Sequence, residues 1–294
     1  MAGLRFYLDR ESDIGEGRIA RTSVAPLVKG KLNVQRFLIP YRVYGSGESS
    51  LVFINGIQQS MAMWHSFVRR FSDRYRIVLF DFPNQGGGRV IAGSPHLSLD
   101  EQVGILKAVI NETSDDCQPI VCAASWGGVV ALACAVRHPQ MIKSLILASI
   151  GTKANQKMID IISEGQRMPV KDRLKIAKKL IESLGPQLPA AMKQRIIGQF
   201  QRMDTEALDA FLRHGLTVIS VRDLRKVVDL WKVRCKAIVV YGENDTFVDL
   251  DDVSFLASQM PHSELRVIKN VGHFLHLEKE ELLDDYEDIL SSLQ

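Results

Sequence analysis

The sequence lacks the cysteine patterns that mark disulfide frameworks, zinc sites and thiol redox centres. It contains only four cysteines among 294 residues, at positions 117, 122, 134 and 235, and no two of them have C-x-x-C spacing. Few, unpatterned cysteines are typical of proteins of the reducing cytosol. We therefore expect a cytoplasmic protein with no metal site and no cofactor.

Segments directed to a membrane are also scarce. Five charged residues fall between positions 5 and 13 and no apolar stretch follows them, which disfavours a secretory signal. Pro119–Val136 holds eighteen residues without a charge, close to the length that spans a bilayer. Because Ser125–Gly128 interrupts this stretch, it predicts a buried strand that turns into a buried helix, and we expect no membrane span.

The composition that remains is that of an ordinary globular protein. Hydrophobic residues make up 46% and charged residues 24% of the chain. These proportions exclude a disordered tail protein and a collagen-like repeat. The formal net charge is only +3 and no nucleic-acid motif is present, so we expect no nucleic-acid partner.

Apolar, β-branched runs alternate with helical patterns from residue 35 onward. The predicted strands are Phe37–Tyr44, Ser50–Ile54, Arg76–Phe82, Ile120–Ala124, Ser144–Ile150, Ala237–Tyr241 and Glu264–Val271. Continuous apolar strands separated by helices are typical of an α/β protein with a mainly parallel sheet covered on both faces. Residues 1–34 are weakly periodic and are predicted to form an N-terminal extension with at most one short strand.

The alternation stops between residues 150 and 236, where helical patterns replace strands. We predict a core of residues 35–151 plus 231–294 and a helical lid of residues 152–230 inserted between two strands. Residues 151–234 carry 17 Lys and Arg against 9 Asp and Glu. One interpretation of this excess is a solvated helical surface. The other is a basic lid that attracts an acidic partner or phosphate groups.

One segment has the pattern of a nucleophile elbow, in which a serine lies on a sharp turn between a strand and a helix. The strand ends at Ala124, Ser125 follows, and a helical pattern begins at Trp126. Residues two before and two after the serine must be small for the turn to close, and Ala123 and Gly127 meet this condition. The sequence therefore predicts Ser125 as a nucleophile.

An acid and a histidine follow in the order that this kind of site requires. Asp245 comes after the next-to-last predicted strand and His273 after the last one, so both belong to the same sheet edge as Ser125. His273 would accept the proton of Ser125, and Asp245 would orient the imidazole. Glu243 and His276 are the alternative acid and base, and we favour Asp245 and His273 over them.

Two backbone N–H groups are needed to stabilise an oxyanion. We predict one from Trp126 and one from Ile57, in the loop after the Ser50–Ile54 strand. Asn55 and Gly56 in the same loop are predicted to contact the substrate, although an ordinary Asn-Gly turn is the alternative. The glycine-rich stretch Asn84–Gly88 matches no phosphate-binding motif, and we assign it to the rim of the pocket.

These motifs resemble those of the α/β-hydrolase fold superfamily over about residues 35–294. Within that superfamily the sequence is similar to two enzyme families, the 3-hydroxyacyl-ACP:CoA transacylases and the 3-(3-hydroxyalkanoyloxy)alkanoate synthases. The segments that carry this similarity are Asn55-Gly56, Val78–Pro83, Ser125–Gly128 and Gly272–Leu275. The resemblance implies a catalytic triad of Ser125, Asp245 and His273.

The resemblance also implies an enzyme that handles 3-hydroxyacyl thioesters through an acyl-serine, with an acyl carrier protein or coenzyme A as the carrier of its small-molecule substrate. A second hypothesis is a carboxylesterase, lactonase or carbon–carbon bond hydrolase, since Asp245 is followed by Thr246-Phe247-Val248 as in general hydrolases. A receptor or structural protein of this fold would lack a triad member, and none is missing here.

Overall fold

The computed structural model describes residues 24–293, except for 58, 115–116, 170–171, 202 and 204. Residues 1–23 of the predicted extension therefore lie outside the described residues. A single sheet forms the centre of this part of the chain. Its strands are β1 (Val28–Val34), β2 (Phe37–Tyr44), β3 (Ser50–Ile54), β4 (Arg76–Phe80), β5 (Arg89–Val90), β6 (Ile120–Ala124), β7 (Ser144–Ala148), β8 (Lys236–Gly242) and β9 (Ser263–Ile268).

The sheet is mainly parallel, as predicted. Its strand order is β1-β2-β4-β3-β6-β7-β8-β9, and the short β5 pairs with β2. In this strand order, every pair from β4 across to β9 is parallel. The strand β2 pairs antiparallel with β1, β4 and β5. The one short strand allowed for residues 1–34 is Val28–Val34, and it pairs along its whole length with β2. The exposed, mixed-polarity pattern of an edge strand hid it from hydropathy.

Helices cover both faces of the sheet. The described helices are α1 (His65–Phe71), α2 (Leu99–Thr113), α3 (Trp126–Arg137), α4 (Gln156–Arg167), α5 (Arg173–Leu184), α6 (Ala190–Gln201), α7 (Thr205–Ser220), α8 (Leu250–Ser258) and α9 (Leu282–Ser291). The start of α2 shows the local logic, because Ser98 and Glu101 form a reciprocal capping box. Two apolar clusters fill the layers on the two faces, and every residue of β3, β6 and β7 is buried.

Helices α4 to α7 form a block between β7 and β8, where the sequence predicts a helical insertion. The block has an apolar cluster of its own, which includes Ile176, Phe200 and Leu212. Phe247 and Phe274 join this cluster from the loops after β8 and β9. The block therefore packs directly on the loops that hold the predicted acid and histidine. None of the described helices is long and apolar enough to cross a membrane.

Candidate active site

The turn at Ser125 has the backbone that an exposed nucleophile requires. Ser125 has φ 50° and ψ −123°, a conformation that few residues other than glycine adopt. Its N–H donates to the carbonyl of Ala148 on β7 at 2.8 Å, which fixes the turn against the sheet. A Cβ added to Gly127 would lie 2.7 Å from the Asn55 carbonyl oxygen, so a larger residue cannot occupy this position without a shift. The backbone thus explains the predicted requirement for a small residue after Ser125.

The imidazole of His273 pairs with the carboxylate of Asp245. The distance from His273 Nδ1 to Asp245 Oδ2 is 2.8 Å, and the two side chains are 9% and 0% exposed. The other carboxylate oxygen, Oδ1, accepts the backbone N–H groups of Phe247 at 2.8 Å and Val248 at 3.2 Å. These bonds fix the carboxylate, and the carboxylate in turn fixes the ring with Nε2 directed away from Asp245.

Ser125 and His273 line one small cavity at the carboxyl edge of the sheet. Its remaining walls are Gln59, Met63, Trp64, Ala124, Ala148, Ser149, Phe274, Leu275 and His276. The three predicted triad residues, which are separated by 148 positions in the sequence, are therefore brought together through β6, β8 and β9. Two of them pair directly, and the third shares a cavity with the histidine.

The loop that carries His273 is fastened on both sides of the ring. The carboxylate of Glu278 accepts the N–H of Gly272 at 2.6 Å and that of Phe274 at 3.1 Å. The hydroxyl of Ser149, at the end of β7, donates to the His273 carbonyl at 2.7 Å. The position of the imidazole is thus set by hydrogen bonds from two other elements and not by the loop alone.

The pKa of His273 is displaced by its surroundings. Burial lowers it, but the charge of Asp245, its hydrogen bond to the ring and the charge of Glu278 together raise it above the ordinary value of 6.5. A raised pKa means that the site stabilises the imidazolium form. This is the property that a general base needs once it has accepted a proton.

The alternative acid and base have other roles. His276 is buried, its Nε2 lies 3.0 Å from the Met63 carbonyl oxygen, and its ring stacks on Trp64. Burial lowers the pKa of His276 to about 4, so this histidine is neutral at physiological pH. Glu243 is exposed and accepts the Asn270 N–H at 3.2 Å. Neither residue forms the carboxylate–imidazole pair, whereas Asp245 and His273 do.

Two residues of the predicted oxyanion loop, Asn55 and Gly56, form hydrogen bonds within the protein. The Asn55 side chain is buried, and it donates to the Phe80 carbonyl and accepts from the Trp64 indole N–H at 2.8 Å. The Gly56 N–H donates to the Gln59 side-chain oxygen at 2.7 Å. The Asn55 side chain and the Gly56 N–H thus already have partners within the protein, and the contact of these two residues with substrate stays a prediction.

The two predicted oxyanion donors lie in the loop after β3 and at the start of α3. Trp126 is the first residue of α3, so its N–H has no partner within the helix. Its indole donates to the Gln102 side chain at 2.9 Å, which anchors the helix start. Ile57 is half-buried between the main core and the cluster of the helical block. The assignment of the Ile57 and Trp126 N–H groups to an oxyanion remains a prediction.

A comparison with known protein families matches residues 51–285 to the alpha/beta hydrolase family. The matched range contains the elbow, the acid and the histidine, and it covers most of the chain. The chain belongs to the alpha/beta hydrolase family. The predicted superfamily, fold and enzyme class are thereby confirmed.

Relatives of this hydrolase-family enzyme carry several activities. The (R)-3-hydroxydecanoyl-ACP:CoA transacylase of Pseudomonas putida is 23% identical over 264 residues, which cover 85% of this chain and 86% of that protein. A 2-hydroxy-6-oxononadienedioate/2-hydroxy-6-oxononatrienedioate hydrolase of Paraburkholderia phymatum is 25% identical over 255 residues, covering 83% and 87%. The solved enol-lactonase of Burkholderia xenovorans LB400 has a TM-score of 0.72 at 16% identity, covering 90% and 99%. Both the leading and the alternative activity classes of the sequence analysis occur among these proteins.

Three residues of the hydrolase site escaped sequence reasoning. Gln59 lines the cavity and holds Gly56, Glu278 fastens the histidine loop, and Ser149 supports the same loop. Glu278 stands five residues after His273, in a segment that the sequence marks only as the approach to a helix. Ser149 has φ 54°, a backbone feature with no signal in its residue type. Gln59 and Glu278 act through local turn contacts, whereas Ser149 contacts a loop that is distant in sequence.

Proposed function

We propose that the protein is a serine-dependent acyl transferase or hydrolase that works through an acyl-enzyme. The observation that carries this proposal is the 2.8 Å pair of His273 and Asp245 beside a cavity shared with Ser125. The Ser125 hydroxyl attacks the acyl carbonyl while His273 Nε2 takes its proton. The carbonyl oxygen becomes an oxyanion, held by the N–H groups of Ile57 and Trp126. His273 then returns the proton to the leaving thiol or alcohol, and an acceptor releases the acyl group by the reverse steps.

The substrate class that we propose is a 3-hydroxyacyl thioester. The similarity to the Pseudomonas putida transacylase over 85% of the chain supports it, as does the apolar cluster above the site, which suits an acyl chain. In this proposal residues 152–230 act as a lid and the protein works in the cytoplasm. The four free cysteines are compatible with that reducing compartment.

A second candidate function is hydrolysis of a small ester, lactone or carbon–carbon bond. The similarity to the Paraburkholderia phymatum hydrolase favours it, because the same triad serves both reactions. A chain-length series of p-nitrophenyl esters, assayed beside acyl-CoA and acyl carrier protein thioesters, separates the two. Fast turnover of short esters without any thioester activity would select the hydrolase.

The donor is identified by trapping the acyl group on Ser125. In His273→Ala both acylation and deacylation lose their base, but a thioester donor is more reactive than the serine ester that it forms, so we expect a covalent acyl adduct to accumulate from the true donor. Mass spectrometry of the variant after incubation with each thioester, followed by peptide mapping, places the adduct. The double variant Ser125→Ala/His273→Ala is the control and must stay unmodified. An adduct on another residue, or the same adduct on the control, would overturn the proposal.

Charge on the helical block bears on whether the donor arrives on an acidic carrier protein. Many of its cations are already paired: Lys175 with Asp172 at 2.8 Å, Lys178 with Glu182 at 3.8 Å, and Lys179 with Glu164. Because each of these lysines has a carboxylate beside it, the pairs contribute little positive potential that could attract an acidic carrier protein.

Arg195 on α6 is different. Among the described residues it has no carboxylate partner, and its charge joins burial and two other arginines in lowering the pKa of His65. His65 directly follows Trp64, which lines the cavity. We propose Arg195 as the positive charge of the helical block that acts on an approaching carrier protein.

For Arg195→Glu we expect kcat/KM with an acyl carrier protein substrate to fall about tenfold at low salt, since rim charges act mainly on association. Stopped-flow or steady-state assays at several salt concentrations measure this, and the difference should shrink as salt screens the charge. The same variant assayed with an acyl-pantetheine thioester, and Lys175→Glu assayed with the carrier substrate, are the controls and should retain activity. Equal losses with both substrates would contradict carrier recognition at Arg195.

A further inference from the structure

A buried carboxylate next to the site is not used by the mechanism above. Asp81 follows β4 directly and is only 3% exposed. Its Oδ1 accepts the Met61 N–H at 2.7 Å and the Asn55 side-chain amide at 3.2 Å. Its Oδ2 accepts the Gly87 N–H at 2.9 Å. One carboxylate thus accepts hydrogen bonds from two loops. A buried charge is stable only when hydrogen bonds or an ion pair compensate for the loss of water.

The first of these loops carries the predicted oxyanion donor. Asn55 begins it and Met61 ends it, so Asp81 Oδ1 ties both ends of the segment that contains Gly56 and Ile57. Gln85 of the second loop reinforces the tie, because its side-chain amide donates to the Gly56 carbonyl at 3.1 Å. The segment is therefore held from outside at its first two residues and at its last residue.

The structure explains the glycines of the second loop, Asn84–Gly88, which match no phosphate-binding motif. Gly86 has φ 48°, and a Cβ placed there would overlap the Asp81 carboxylate. A Cβ at Gly88 would overlap the Phe82 carbonyl instead. Glycine at these positions lets the chain close around Asp81 and present the Gly87 N–H to it. The glycine-rich loop is thus a cradle for a carboxylate of the same chain.

We propose that Asp81 is a positioning residue for the oxyanion hole: its carboxylate clamps the 55–61 loop so that the Ile57 N–H is aligned with the reacting carbonyl. The inference rests on the proposed function, since the oxyanion forms only when Ser125 attacks. It assigns to Asp81 no contact with substrate. Misplacement of a donor by as little as 1 Å is enough to slow catalysis about 10²-fold.

The ionised form of Asp81 is the one that clamps. A proton on Oδ1 would face the Met61 and Asn55 donors, and a proton on Oδ2 would face the Gly87 donor, so either proton removes a hydrogen bond. Burial raises the pKa of Asp81 to about 6, against the lowering effect of those donors and of the Arg42 charge on β2. The carboxylate is therefore charged at neutral pH and loses its charge in mild acid.

The first test is Asp81→Asn in the full chain, with a p-nitrophenyl ester as the substrate. We expect kcat to fall about 10²-fold with little change in KM, because the misplaced donor acts only in the transition state. In the wild type, a plot of log kcat against pH should have a slope above one below pH 6, because both His273 and Asp81 take up protons as the pH falls. In Asp81→Asn the slope should stay at one. A merely structural role would change neither the slope nor the ratio of the two kinetic constants.

A matched pair of glycine variants repeats the test without substituting Asp81. Gly86→Ala forces a Cβ against Asp81, whereas Gly93→Ala imposes the same kind of backbone strain, at φ 77°, with no atom closer than 3.8 Å. We expect Gly86→Ala to lower kcat at least tenfold more than Gly93→Ala. The pair decides the matter if Asp81→Asn does not fold.

Equal activity of the two alanine variants, or an unchanged kcat and pH slope in folded Asp81→Asn, would overturn the role of Asp81. Assaying Ser125→Ala in parallel separates this failure from failure of the proposed function. If Ser125→Ala is inactive while the Asp81 and Gly86 variants are fully active, only the present inference fails. If Ser125→Ala keeps wild-type activity, the proposed function itself fails.

Discussion

Ser125→Ala is expected to abolish turnover, with a loss in kcat of about 10⁶-fold, because no other group in the cavity can replace the attacking hydroxyl. The cavity walls are mostly apolar or already hydrogen-bonded, as His276 is to the Met63 carbonyl oxygen. Steady-state assays on the preferred thioester or ester measure the loss. Circular dichroism should show an unchanged fold, since alanine keeps the Cβ and removes only one oxygen.

A glycine at the same position provides the control for stability. Ser125→Gly should also be inactive, but the glycine adopts φ 50° without the strain that a Cβ creates there. We expect its free energy of unfolding to exceed that of Ser125→Ala by about 1 kcal/mol, as the relieved strain outweighs the added freedom of the unfolded chain. Retained activity in either variant would remove Ser125 from the nucleophile role.

The central fold was predictable because its strands are buried on both faces. β3, β6 and β7 consist of short apolar runs bounded by turn residues, and such runs have few other stable destinations. β1 was not predictable in this way, since it lies at the edge of the sheet with alternating exposed residues such as Lys29 and Lys31. Its place depends on pairing with β2, which local hydropathy does not encode.

The candidate site likewise contains residues that the sequence could predict and residues that it could not. Ser125 and Asp245 follow the buried strands β6 and β8, and His273 follows the partly exposed edge strand β9, so their order along the chain could be predicted from the strand pattern. The role of Asn55 could not, because its neighbour Asp81 comes from the adjacent strand and takes up its amide. The ion pairs of Lys178 and Lys179 were equally hidden, since net charge counts residues and not partners.

The loops at this edge of the sheet share one structural device. Asp245 and Glu278 each accept backbone N–H groups from two residues of one loop that borders the site, and Asp81 accepts one backbone N–H from each of two such loops. A carboxylate with two acceptor oxygens can fix a loop at two points at once. The loops contain little regular secondary structure, yet carboxylates fix their backbones at defined points. Rigid support of this kind is what preorganised catalytic groups require.

Among these carboxylates only Asp245 also binds the catalytic ring, and Asp245→Asn should therefore separate orientation from loop support. The asparagine oxygen can still accept the Phe247 and Val248 N–H groups, which turns its NH₂ toward His273 Nδ1. Nδ1 must then be the unprotonated nitrogen, and the proton moves to Nε2, the atom that has to accept the Ser125 proton. We expect kcat to fall about 10⁴-fold with the melting temperature nearly unchanged.

The pH profile decides whether the loss acts through His273. In the wild type the raised pKa of His273 places the acid limb of kcat above pH 6.5, because the base must be unprotonated. Removing the Asp245 charge takes away the main influence that raises this pKa, while burial, which lowers it, remains. The residual activity of Asp245→Asn should thus have its acid limb at lower pH than the wild type. Asp251→Asn, an exposed carboxylate in the first turn of α8, should leave both rate and profile unchanged. An acid limb that stays in place while kcat collapses would show that Asp245 does not act through the imidazole.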